Sequence, residues 1–77
     1  MNELLEVAEV AKRLKCNRNK VYELIKSGQL IGLKLGRMKV STIELDNFLV
    51  RNSGEDLTDP FNVKKLERGE LNEIQSS

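Results

Sequence analysis

The chain has 77 residues, a net charge of +1, no histidine, one cysteine and no tryptophan. That length gives one small domain with a marginal core and no room for a deep cleft built from several loops. The residue set excludes an internal disulfide and a Cys/His zinc site.

The near-neutral total conceals two opposite regions. Residues 12–39 carry nine cations against Glu23 alone, a net +8, whereas residues 52–77 sum to −3. The lone Cys16 fits a reduced, cytoplasmic setting. The opening "MNELLEVAEV" has acids where an export signal needs bases, and no apolar run approaches the roughly 18 residues of a membrane span. No residue cluster calls for a metal or cofactor.

The first helix is predicted over Val7–Leu14. Val7, Val10, Ala11 and Leu14 follow the i, i+3, i+4, i+7 spacing of one apolar face. Glu6 and Glu9 at its start and Lys12 and Arg13 at its end suit the helix dipole. Lys15, Cys16 and Asn17 form a short break, with Cys16 a small turn residue packed between helices. Asn17 is a strong N-cap for the next helix. Lys12, Arg13 and Lys15 are equally compatible with a solvated face and with a clamp on phosphates.

The second helix is predicted over Arg18–Lys26, burying Val21, Leu24 and Ile25. At about 100° per residue, Asn19, Tyr22, Glu23 and Lys26 fall on the opposite side, flanked by Arg18 and Lys20. Gly28 can end it in the left-handed conformation.

Then comes "GLKLGRMKV", residues 32–40, alternating apolar and cationic residues about Gly36 and Arg37. A two-residue loop with Gly first suits a type II′ hairpin. That register sets Leu35 opposite Met38, Lys34 opposite Lys39 and Leu33 opposite Val40. One face is then aliphatic, and the other carries like charges directly across the strands, which is destabilising. A lysine-coated edge also guards against aggregation, which accounts for the lysines better than for Arg37.

"STIE", Ser41 to Glu44, has the form of a capping box. It opens a third helix from residue 42 to about 50, burying Leu45, Phe48 and Leu49. The compact domain is expected to span residues 1–51. Residues 52–77 are expected to be an acidic tail, disordered or docking on a partner protein. Asp59-Pro60 is suited to start a short helix in it; Leu57, Phe61, Val63, Leu66, Leu71 and Ile74 are its apolar residues, with Gly69 interrupting.

The predicted fold is mostly α with a small antiparallel hairpin: a winged helix-turn-helix of order α-α-β-β-α with a C-terminal tail. The outward face of the second helix, Asn17, Arg18, Asn19, Lys20, Tyr22, Glu23 and Lys26, is the candidate DNA-reading surface. Asn can read adenine and Arg guanine, while Tyr22 can stack on a sugar or bond a phosphate. Lys34, Arg37 and Lys39 on the hairpin, and Lys12, Arg13 and Lys15 beside it, are candidate phosphate contacts. Arg37 at the hairpin tip also suits a narrow minor groove. With no His and no nucleophile–base pair, catalysis is not expected.

"LLEVAEVAKRL", "NRNKVYELIKSGQL" and "LKLGRMKVSTIELDNFL" resemble the small MerR-type or excisionase-type helix-turn-helix domains, over residues 4–49. The resemblance implies the second helix in the major groove of double-stranded DNA and the wing tip at the minor groove. It implies a protein of a mobile element that binds and bends DNA near attachment sites and promotes excision by a partner integrase, engaged through the tail or the third helix. A small transcriptional regulator would use the same surface. A basic adaptor docking on an acidic protein is the reading of a different class. The absence of a long heptad points to a monomer that assembles on adjacent DNA sites.

Overall fold

The computed structural model describes residues 2–66. Its elements are β1 (Leu4–Glu6), α1 (Val7–Leu14), α2 (Arg18–Lys26), β2 (Leu33–Leu35), β3 (Arg37–Ser41), α3 (Thr42–Arg51), β4 (Glu55–Asp56) and β5 (Lys64–Lys65). The three helices and the small antiparallel sheet β1-β3-β2 fit a helix-turn-helix domain. No described helix is long and apolar enough to cross a membrane.

The helices follow their local signals. Asn17 caps α2, its side chain accepting from the Lys20 amide at 2.8 Å. After α2, Gly28 has φ +84; its N–H bonds the Ile25 carbonyl and the Gln29 N–H the Leu24 carbonyl. That is a Schellman ending, which glycine permits without steric cost. Lys15 ends α1 with φ 57, the left-handed region that L-residues enter at a penalty. Cys16 packs beside the core, and burial pushes its thiol pKa up.

Ser41 caps α3 by accepting from the Glu44 amide at 3.0 Å. The expected reciprocal bond of the capping box is absent. Glu44 instead accepts from the Ile31 amide at 3.0 Å and from Arg51 Nη2 at 2.6 Å, and Arg51 also donates to the Gln29 carbonyl at 3.0 Å. The carboxylate thus ties the segment after α2 onto α3.

Val10, Val21, Val40, Leu24, Leu30, Leu45 and Phe48 form the centre of the core, with Leu5, Val7 and Ala11 at its edge. Leu49, expected inside, is 50% exposed.

The sheet departs from expectation in two ways. Residues 4–6 form a strand that the sequence pattern does not announce, because three residues are too few to show alternation. Leu5 pairs with Val40 and both are buried. The β2–β3 hairpin is also slipped by one residue: Leu33 pairs with Lys39, Lys34 with Met38 and Leu35 with Arg37. Gly36, at φ +76, reverses the chain.

A one-residue slip exchanges the faces of a strand. The expected Lys34–Lys39 opposition is gone, and Leu33 and Leu35 lie exposed. In the observed register Gly32 passes close over Met38 and Ile25, where a Cβ would stand 2.7 Å from the Met38 sulfur, so this approach requires glycine.

The segment after α3 folds back. Asn52 is buried and donates its side-chain amide to the Phe48 carbonyl. Strands β4 and β5 pair Glu55 with Lys65 and Asp56 with Lys64. Asp59-Pro60 makes a turn and not the helix its sequence suggests. The Asp59 carboxylate accepts from the Phe61 amide at 3.1 Å, as an N-cap would, and the Asp59 carbonyl from the Asn62 amide at 2.9 Å, but the chain goes no further than this turn. Residues 67–77, where Gly69, Leu71 and Ile74 fall, lie outside the described residues.

Candidate nucleic-acid interface

Helical spacing puts Arg18 and Tyr22, four residues apart, on one flank of α2. The β2–β3 hairpin stands beside that flank. Between them runs an open groove of about 500 Å³, lined by Arg18 and Tyr22 from α2, Lys34, Gly36, Arg37 and Met38 from the hairpin, and Glu6, Val7 and Ala8 from the β1–α1 junction. In the slipped register Lys34 lies opposite Met38, and both line the groove.

Arg18, Lys34 and Arg37 are exposed there, and Tyr22 is 45% exposed. Three cations and a phenol beside a methionine and aliphatic floor can hold an anionic polymer with sugar or base planes against the ring. Glu6 is the one acid in this lining. Its Oε1 lies 3.0 Å from Lys39 Nζ. The Lys39 hydrogen bond, its charge and that of Arg37 hold the Glu6 carboxyl below its ordinary value. The sequence places Glu6 at a helix start; only the β1–β3 pairing, Glu6 opposite Lys39, reveals its second role.

The other candidates are distributed around the groove rather than in it. Asn17 is occupied as a helix cap. Asn19 and Lys26 are exposed on the outward side of α2. Lys20 is drawn away: its Nζ donates to the Thr58 carbonyl at 2.6 Å and lies 3.5 Å from Glu23. Lys39 is engaged by Glu6. On α1, Arg13 lies 3.4 Å from Glu9, while Lys12 and Lys15 are exposed.

Residues 4–53 match the family described as the helix-turn-helix domain. A Streptomyces ambofaciens protein named excisionase is 43% identical over 54 residues, which cover 69% of this chain and 87% of that protein. No solved structure matches the chain. These likenesses support the excisionase side of the resemblance and lend none to the MerR-type side.

Proposed function

The chain belongs to the helix-turn-helix domain family, excisionase type, and on that premise we propose that it is a DNA-binding recombination directionality factor of a mobile element. It acts by binding double-stranded DNA, not by catalysis. In this reading α2 enters the major groove with Asn19, Tyr22, Glu23 and Lys26 toward the bases. The β2–β3 hairpin serves as a wing whose Arg37 reaches phosphates or the minor groove. Lys12, Arg13 and Lys15 add backbone contacts beside α2.

The observation that carries the reading is the groove itself, in which Arg18 and Tyr22 of α2, Lys34 of β2 and Arg37 of β3 converge. The binding element is small. A single module of this kind buries only about 600–1,000 Å² on DNA. Tight occupancy therefore calls for several copies on adjacent sites, or for a protein partner. A monomer that assembles on DNA, bends it and recruits an integrase meets that need. The exposed apolar side chains of α3, Ile43 at 53% and Val50 at 80%, offer a surface for that partner. Its place of action is the cytoplasm, with the element's DNA.

Duplex binding measured across a salt series tests this. If about six phosphates are neutralised, log K falls against log salt with a slope near −5. Arg37→Ala lowers affinity and reduces the slope by about one, while leaving the fold intact. A flat salt response, or no duplex binding at low salt, sinks the DNA reading. Binding with no stimulation of excision by a partner integrase leaves DNA binding in place and overturns the directionality role.

A further inference from the structure

Helix α2 has two flanks, and the wing groove uses only one. Lys20 lies about 200° around the helix from Arg18, on the far flank. There it meets residues 54–66. Lys20 Nζ donates to the Thr58 carbonyl at 2.6 Å, and Gln29 Nε2 donates to the Pro60 carbonyl at 3.4 Å. Both carbonyls are held in place by turns. Asp56 accepts from the Thr58 amide and hydroxyl, and Asp59 from the Phe61 amide. Lys20 on α2, which also lies 3.5 Å from Glu23, and Gln29 just after the helix thus give hydrogen bonds to main-chain oxygens of this segment.

We propose that Lys20 and Gln29 form a second phosphate-binding edge of α2, and that residues 54–66 are a strap that covers it until duplex DNA displaces the strap. This deepens the proposed function and rests on it. The chemistry of the exchange is direct. A phosphodiester oxygen is a stronger acceptor for an ammonium group than a neutral carbonyl, because the bond is charge-assisted on both sides. The strap also opposes DNA while it is in place. Residues 54–66 carry Glu55, Asp56 and Asp59 against Lys64 and Lys65, a net charge of −1.

The hold of the strap is slight enough to break. Within residues 54–66, Pro60 alone is fully buried, and Leu57 adds a partly buried contact with the core. Strands β4 and β5 pair with each other and with no other strand. Segments with few buried apolar contacts open at low cost. The strap also lies beyond residue 53, where the family match ends, so it is an addition to the shared helix-turn-helix.

Pro60→Ala in the full chain loosens the strap at its one buried side chain. Its affinity for a short mixed-sequence duplex, read by fluorescence anisotropy over a salt series, is expected to rise about three- to tenfold as the cost of the covered state is removed. Lys20→Ala in that background is expected to erase the gain and shallow the salt slope by about one. A merely structural role moves the other way, with affinity falling alongside stability. In the wild-type chain, amide exchange of Glu55 and Leu66 should quicken on saturation with duplex, even if the Pro60 variant fails to fold.

Unchanged or weaker binding by the folded Pro60 variant overturns the strap, as does a gain that survives Lys20→Ala. Strap amides that become more protected on DNA overturn it too. If neither wild type nor variant binds duplex at low salt, the DNA reading itself falls and the strap proposal with it.

Discussion

Glu44 carries a prediction whose size and sign both come from the structure. Its side chain is only 13% exposed and accepts from Arg51 through both oxygens and from the Ile31 amide through one. Burial pushes its carboxyl pKa up. The Arg51 hydrogen bond, the Ile31 amide and the Arg51 charge together outweigh that and hold it below the ordinary 4.5. Glu44→Gln keeps the shape and removes the charge. Charge-assisted bonds are worth more than neutral ones, but Arg51 is 43% exposed and water screens the pair. The net loss at neutral pH is therefore about 1–2 kcal/mol. For a domain of this size that lowers the melting temperature by about 4–16 °C.

The pH dependence follows from the direction of the shift. A carboxyl with a lower pKa in the folded than in the unfolded state stabilises the fold fully above the unfolded value. That contribution disappears as pH falls through the folded value. Thermal melts followed by circular dichroism should show wild type above Glu44→Gln from neutral pH down to about 4.5. The two curves should then converge as the pH drops further. A gap that stays constant into acid, or no gap at neutral pH, would refute the clamp.

Other perturbations separate groove from scaffold. Glu6→Gln removes the acid of the groove and frees Lys39, so duplex affinity should rise about two- to fivefold with a steeper salt slope; unchanged binding would place Glu6 outside the DNA path. Lys15→Gly relieves a left-handed lysine and should raise stability by about 0.5–1 kcal/mol in chemical denaturation, net of the entropy that glycine adds to the unfolded chain. Val21→Ala empties part of a fully buried site and should cost about 1–3 kcal/mol in the same assay. Arg18→Ala should alter sequence preference in a selection from random duplexes; a uniform loss across targets would make Arg18 a phosphate contact.

The helices were legible because each carries a complete local signal: a 3.6-residue apolar period, an Asn or Ser cap, and a glycine at the end of α2. The interior of the sheet was not. The Gly-first pair at residues 36 and 37 satisfies the hairpin rule for a two-residue loop, and nothing local argues against it. The observed register instead brings Gly32 close over Met38 and Ile25, a contact between segments that sequence spacing does not encode. The same limit hid β1, whose Leu5 gains its role only when Val40 lies beside it. In the groove, Arg18 and Tyr22 share a flank of α2 as their spacing implies, whereas Arg37, expected in the loop, opens β3 opposite Leu35, and Lys34, expected opposite Lys39, lies opposite Met38. Glu44 was legible as a cap residue, yet its carboxylate serves Arg51 and Ile31, partners 7 and 13 residues away.

The slip also resolves the charge problem of the hairpin. In the expected register, Lys34 and Lys39 lie directly opposite and repel each other. In the observed one they are separated, and Lys39 is neutralised by Glu6 across β1 and β3. The basic region thus divides into two populations. Arg13, Lys20 and Lys39 are paired internally, whereas no ion pair among the described residues involves Lys12, Lys15, Arg18, Lys26, Lys34 or Arg37. A cation already paired must surrender its partner before it neutralises a phosphate, and the cost is subtracted from what the new contact contributes. Unpaired cations incur no such cost. On the proposed reading, the three that line the groove are thus among the cations whose charge is available to DNA at first contact, whereas Lys20, held by Thr58 and Glu23, and Lys39, held by Glu6, must first give up those partners.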